Sequence, residues 1–267
     1  MPRPDPEIFE HATASTCRVA DLLLDIGTVL LQSGAHCGRI TRNLERIAET
    51  WGYEMELFIT FTGLMVSIKN ARHPDERVAR FQRCPHHGVH FGIVTETSIL
   101  TWQVAEKNIP ISEVETRFAK IKTLPHHPRW AILLAVGLAC GCLCILAGGN
   151  WLNGLVAFTA AFIGLAVRQE VLKLRFNPMI AVIAAAFTTT MIAGIDMTMQ
   201  LGHSPEKTFA TSVLYLIPGV PLINSTIDLI EGRFPTAIAR AVFGSFILLC
   251  IAVGMSLAIL LLGIQNF

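Results

Sequence analysis

Beyond residue 129 the sequence is nearly without charge. Of 21 Lys and Arg and 20 Asp and Glu in 267 residues, residues 1–129 hold 15 of each sign, leaving 6 basic and 5 acidic side chains for the rest. That density is too low for the surface of a water-soluble domain of such a size, so the second part needs another solvent. The mean hydropathy of +0.52 therefore averages two regions of different character. Met1 to Thr16 alternates acidic and basic residues and has no apolar core of the kind a cleavable secretory signal carries, so the first part is expected to stay on the side where it is made. Cysteine offers no paired framework: seven, at 17, 37, 84, 140, 142, 144 and 250, fit a reducing compartment. There is no extended basic stripe with interleaved aromatics, which gives no reason to expect a nucleic-acid partner. Nor is there a G-x-S-x-G, H-E-x-x-H or P-loop pattern, so no enzyme, no cofactor and no direct ATP coupling is expected.

Long apolar runs take the place of charge. Five are near the roughly 20 residues that cross a hydrocarbon core of about 30 Å: Trp130–Gly149, Trp151–Val167, Pro178–Leu201, Thr208–Asn224 and Ala237–Ile264. Only Gly148-Gly149-Asn150 separates the first two, which predicts a tight helical hairpin. Lys120, Lys122 and Arg129 precede the first run, Arg168, Lys173 and Arg175 follow the second, and Arg233 and Arg240 follow the fourth. The alternate loops hold only Lys207, and the tail Gln265-Asn266-Phe267 holds no basic residue. Since basic residues resist translocation, this bias predicts the N-terminus inside and the C-terminus outside. Trp130 and Trp151 sit at span ends, as interfacial aromatics do.

The fold class expected is an α-helical integral membrane protein of about five transmembrane helices, residues 128–267, preceded by a small soluble α+β domain, residues 1–127. In that domain Leu22, Leu23, Ile26, Val29 and Leu30 repeat at helical spacing over Val19–Gln32. Gly34-Ala35-His36 breaks the pattern, and Ile40, Leu44 and Ile47 resume it up to Trp51. Tyr53–Thr60 and Gly63–Lys69 read as a hairpin, with a third strand near Val78–Arg83 after a turn at His73-Pro74-Asp75. Helices follow at Gly92–Lys107 and Ser112–Thr123, the latter with Ser112 and Glu115 spaced as a capping box. Pro125-His126-His127-Pro128 is a short stiff linker.

The fourth run is interrupted. Leu216-Ile-Pro-Gly-Val-Pro-Leu-Ile-Asn-Ser-Thr-Ile-Asp228 carries two prolines, a glycine, an amide and a carboxylate. Backbone that cannot complete its helical bonds persists at membrane depth only where protein buries it or it lines a polar cavity, so the break points to a translocation path. Pro218 and Pro221 each cost about 3 kcal/mol or more inside a helix, and Gly219 permits close approach. A restart near Pro221 aims free amides at a carboxylate. Asn224 and Asp228, four apart, share one face and address one cavity; the alternative is a kinked packing helix with Asp228 at the cytoplasmic interface. Asp196, in the third run, is either a cavity carboxyl suited to proton coupling or a solvated interfacial one. Thr189, within Thr188-Thr189-Thr190, either offers hydroxyls to substrate or bonds within the bundle. Arg168, beside Gln169, either binds a second carboxylate or snorkels to headgroups.

Cys140 and Cys144 share a helical face whereas Cys142 points away, so close packing beside Gly137 and Gly141 competes with chelation for this run. Cys84-Pro-His86-His87-Gly-Val-His90 has ligand types without the paired spacing of a structural zinc site. No metal is expected.

Four sets of residues give the chain a family resemblance. They are Pro218-Gly219-Val-Pro221-Leu-Ile-Asn224-x-x-x-Asp228-x-x-x-Gly232; Pro128-Arg129-Trp130 with Val136-Gly137-Leu138 and the cysteine run; Arg168-Gln169; and Leu30-Leu31-Gln32-x-Gly34-Ala35. In this order they cover most of the sequence, which resembles the threonine/serine exporter (ThrE) family and, within it, the YjjP-like branch whose exporter is split between two polypeptides. The resemblance implies a soluble-domain-bearing subunit in the bacterial inner membrane, completed by a small all-membrane partner, with a higher oligomer left open. It implies outward movement of small carboxylates, succinate-like dicarboxylates or threonine and serine, driven by the proton gradient. Substrate contact then falls to Pro218, Gly219, Pro221, Asn224, Thr189 and Arg168, and coupling to Asp228 and Asp196. Two other readings stand beside it: a membrane enzyme, and a membrane-anchored sensor or scaffold without transport.

Overall fold

The computed structural model describes residues 6–73, 75–84, 88–125, 127–199 and 201–264, with side chains described from residue 15 onward. In chain order the elements are α1 (Pro6–Gln32), α2 (Cys37–Thr50), β1 (Tyr53–Thr60), β2 (Gly63–Asn70), β3 (Arg77–Arg83), α3 (Phe91–Lys107) and α4 (Ile111–Lys122). There follow α5 (Arg129–Leu146), α6 (Trp151–Lys173), α7 (Pro178–Met199), α8 (Pro205–Ser212), a 3-10 turn at Leu214–Leu216, α9 (Gly219–Ile230) and α10 (Phe234–Leu262). They form two compact units, Met1–His126 with Val220–Ala241, and His127–Gly219 with Val242–Phe267. The stretch from Val220 to Ala241, which hydropathy alone gives to the membrane domain, is packed with the N-terminal residues.

In the first unit, α1 turns Val19, Leu23, Ile26 and Leu30 inward against Ile40, Leu44 and Ile47 of α2, all fully buried. These stripes are the ones the helical spacing marks. Beneath them lies an antiparallel sheet in the order β1-β2-β3, its hairpin closing at Thr60↔Gly63 and its inner face presenting Leu64, Val66 and Ile68. Alternation then puts Phe58, Met65 and Phe81 in one row on the outer face, where all three are exposed. The capping box expected at Ser112 and Glu115 does not form. Pro110 is the N-cap of α4 and makes no side-chain cap bond. Glu115 instead accepts from Nε and Nη2 of Arg18, at 2.8 and 2.5 Å, a two-point charged contact.

The second unit is a helical bundle. Among the described residues of the whole chain, four helices are long and apolar enough to cross a membrane, α5, α6, α7 and α10, and the pair Pro205–Leu216 plus Gly219–Ile230 makes a fifth only as a bent element; residues 220–230 and the start of α10 up to Ala241 belong to the first unit. The tight α5–α6 hairpin is present. Asn150 caps α6 by accepting from Asn153 N at 2.9 Å while Asn153 Oδ1 accepts from Asn150 N at 3.0 Å. Helix α6 runs past the expected Val167 to Lys173, because Arg129 donates to Gln169 at 2.9 Å and to Glu170 at 2.8 Å and ties its last turns to the start of α5. Cys140 and Cys144 face inward and are buried while Cys142 points out, the packing arrangement that i, i+4 spacing allows.

Candidate functional site

The interruption lies where the prolines put it. After the 3-10 turn, Ile217 is extended (φ −61, ψ 127) and the Gly219 amide donates to the Ile217 carbonyl at 2.8 Å. The helix restarts at Gly219, two residues before the expected Pro221. Pro221 thus falls in the first turn of α9, where a missing N–H leaves no bond unmade. With the Gly219 amide occupied and Pro221 lacking one, this helix start offers fewer donors to an anion than an uninterrupted helix N-terminus. A cavity of about 260 Å³ in the second unit is lined by Val213, Leu214, Ile217, Ile251 and Met255 among others, all apolar, so it supplies nothing that would hold a carboxylate.

Asn224 and Asp228 do share a face, and in the first unit that face meets the junction between α1 and α2. Asn224 Nδ2 donates to the Gly34 carbonyl at 2.8 Å. Gly34 stands at φ +89, where only glycine is unstrained, and a Cβ there would press on the Gly88 carbonyl at 3.2 Å. Asp228 is fully buried: Oδ1 accepts from the Cys37 amide at 2.8 Å, Oδ2 from the Cys37 thiol at 3.3 Å, and Arg240 Nη1 lies 3.0 Å from Oδ2. Arg240 also donates to the Ala35 carbonyl at 3.0 Å. The carboxylate therefore caps the positive end of α2 and forms a buried ion pair. Asp228 is thus packed within the first unit and not exposed to solvent.

Around this core, Glu231 pairs with Arg42 at 3.4 Å and approaches His36 Nδ1 at 3.8 Å. His36, Asp228 and Glu231 bring ligand-type atoms within 4.8 Å of one another, a cluster that spacing along the chain did not flag. Two arginines and the amide end of α2 already neutralise its carboxylates, so its chemistry is that of a charged junction. Burial pushes the Cys37 thiol up to about 12, with the Asp228 carboxylate acting in the same direction.

Burial also lowers the His36 imidazole below its ordinary 6.5, and its neutral Nδ1 accepts from the Arg39 amide at 3.3 Å as the N-cap of α2. A depressed folded value means that the contribution to stability is complete above the ordinary value and is lost as pH falls through the folded one. Hydrogen exchange of the first α2 amides, corrected for intrinsic rate, should accelerate as pH drops below about 6.5. His36→Asn, which keeps a capping oxygen, should remove that dependence; an unchanged pH profile in this variant would exclude the imidazole as its source.

Asp196, in the second unit, is fully buried and held by neutral donors: Thr208 Oγ1 at 2.6 Å, Asn153 Nδ2 at 2.8 Å and the Gly202 amide at 2.9 Å. Of the two carboxyls singled out from the sequence, Asp228 has an arginine, whereas among the described residues Asp196 has hydroxyl, amide and backbone donors. Thr189 Oγ1 pairs with the Tyr215 hydroxyl at 3.0 Å, whereas Thr188 bonds back to the Ala184 carbonyl at 2.9 Å. Arg168 Nε is buried with no hydrogen-bond partner among the described residues. His86 and His87 of the Cys84–His90 segment lie outside the described residues.

A model of the ThrE, threonine/serine exporter, family matches residues 21–262. The chain belongs to the threonine/serine exporter family. It is similar to the "Probable succinate transporter subunit YjjP" of Klebsiella aerogenes, 29% identical over 252 residues that cover 93% of this chain and 96% of that one. The protein of the same name from Escherichia coli strain K12 is 28% identical over the same share of each. The "Threonine/serine exporter" of Corynebacterium glutamicum is 23% identical over 249 residues, 90% of this chain and 50% of that longer one. No solved structure matches the chain. This ThrE-family chain is thus YjjP-like, as the motifs imply.

Several residues of the family fold that complete these clusters escape a linear reading. Cys37 gives no signal beyond standing after Gly34-Ala35-His36, and Arg240 reads as one more basic residue in a loop. Asn153 and Tyr215 each lie in an apolar run, where a polar side chain is itself a hint.

Proposed function

We propose that this chain is one subunit of a secondary-active exporter that moves small carboxylates, succinate-like dicarboxylates or threonine and serine, out across the bacterial inner membrane. The observation that carries the reading is Asp196, fully buried and without a cation partner among the described residues, in a bundle of apolar helices, because an ionisable group placed there is costly and marks an ion or proton path. Family membership supports it, and the relatives named as subunits support a second polypeptide, a small all-membrane partner. In this reading the first unit is cytoplasmic and the C-terminus outside, in keeping with the basic loops.

Asp196 then serves proton coupling. Asp228, with Asn224, holds the α1–α2 junction and releases it during the cycle, while Pro218, Gly219 and Pro221 form the hinge at which the broken element moves. Thr189 and Arg168 belong to the substrate site. Proteoliposomes with this chain and its partner should export labelled succinate or threonine when a proton gradient is imposed, and should fall to the level of empty vesicles when either polypeptide is omitted. Transport by this chain alone would remove the subunit assignment; no transport of any small carboxylate by the pair would remove the exporter reading.

A further inference from the structure

In the second unit the Arg168 guanidinium has no carboxylate partner among the described residues. Arg168 is in the penultimate turn of α6, an apolar helix, with Nε sealed from solvent and unbonded, and among the described residues its electrostatic partner is the Tyr215 phenol. Arg168 as a whole is half-buried, and a cation that is partly withdrawn from water without a counter-charge among the described residues carries a desolvation cost that a ligand's negative charge would relieve. Beside it stands a hydroxyl pair, Thr189 Oγ1 and Tyr215 Oη, 3.0 Å apart.

Sequence places this group deliberately. Gly164 is four residues before Arg168 and so on the same face of α6. A Cβ at Gly164 would run into both Thr189 Oγ1 and the Tyr215 hydroxyl, so the bare backbone there is what makes room for the pair. Tyr215 sits on the 3-10 turn that ends at Leu216, immediately before the Pro218 break. When Thr189 donates to the phenol oxygen, the phenol O–H is left to donate elsewhere, and the planar fork of Arg168 is matched to the two oxygens of a carboxylate.

We propose that Arg168, Tyr215 and Thr189, with the notch at Gly164, form the station that recognises a carboxylate of the transported substrate. This rests on the exporter reading and adds to it two residues, Tyr215 and Gly164, and the chemistry of the ligand. The carboxylate takes the Arg168 fork and the Tyr215 O–H together, and Thr189 orients the phenol. Because Tyr215 adjoins the break, occupancy of the station acts directly on the segment proposed to move. A diamide of the same shape cannot use the fork and is rejected.

The test is initial-rate transport by the reconstituted complex of this chain and its partner, with succinate and its diamide as probes. Arg168→Gln should raise the KM for succinate roughly ten- to hundredfold, the loss of one charge-assisted contact, at little change in maximal rate. Arg168→Lys should fall between, since it keeps the charge without the fork. Tyr215→Phe should raise KM severalfold, and Gly164→Ala should do likewise by pushing the hydroxyls apart. Unliganded thermal stability of each variant separates these effects from misfolding. If Arg168→Gln does not fold, Tyr215→Phe decides, for an unchanged KM in that variant overturns the station. An unchanged KM in a folded Arg168→Gln overturns it while leaving the exporter intact. Absence of transport in the wild-type complex, by contrast, removes the exporter reading first.

Discussion

Asp228→Ala is expected to destabilise the first unit by about 3–5 kcal/mol, the usual penalty for stranding one member of a buried ion pair. Arg240 is 5% exposed, and its remaining bond is to the Ala35 carbonyl. The same substitution leaves the Cys37 amide at the start of α2 without its 2.8 Å acceptor. Asp228→Asn keeps an oxygen for that amide and should cost less. Asp228→Asn combined with Arg240→Met removes the uncompensated charge and should be more stable than Asp228→Ala alone. Denaturant unfolding of the detergent-solubilised protein, followed by tryptophan fluorescence, gives the three values. Asp228→Ala within about 0.5 kcal/mol of wild type, the range of an ordinary surface change, would mean that the pair does not hold α9 to the α1–α2 junction.

Asp196→Asn is expected to abolish gradient-driven export by the reconstituted complex while leaving exchange of labelled for unlabelled succinate. The carboxyl is proposed to carry the coupled proton, and an amide cannot. The substitution changes a polar network: Asp196 accepts from Thr208, Asn153 and the Gly202 amide, and an asparagine turns part of that acceptor surface into donors, at a cost of about 1–3 kcal/mol. Exchange is therefore the necessary control, because it persists if the bundle is intact. Gradient-driven accumulation at the wild-type level in Asp196→Asn would transfer the coupling role away from this residue. Loss of exchange together with accumulation would make Asp196 structural.

Much of the architecture is legible in the sequence because it follows from local rules. The 3.6-residue spacing of Leu23, Ile26 and Leu30, and of Ile40, Leu44 and Ile47, sets which faces of α1 and α2 are buried. Alternation and a short turn at Phe61-Thr62 set the hairpin and its register. Apolar length sets α5, α6, α7 and α10, and proline sets the break before α9. Where a local rule misleads, a distant partner is the cause. Ser112 and Glu115 have the spacing of a capping box, yet Glu115 is claimed by Arg18, 97 residues away. Lys173 ends α6 later than apolarity predicts because Arg129 reaches across to Gln169 and Glu170.

The candidate residues divide in the same way. That Asn224 and Asp228 share a face, that Asp196 is an anomaly in its run and that the chain breaks at Pro218 follow from spacing and residue type alone. What each faces is decided by the tertiary fold. Asp228 caps a helix that begins 191 residues earlier, Asn224 binds the carbonyl of Gly34, Asp196 collects Asn153 and Thr208, and Thr189 meets Tyr215. Periodicity records which side of a helix is apolar and carries no information about the element packed against it. Whether a buried polar group is held by a cation, by neutral donors or by nothing depends on that packing, because a hydrogen bond or ion pair requires contact within a few ångströms between residues that the chain itself keeps far apart.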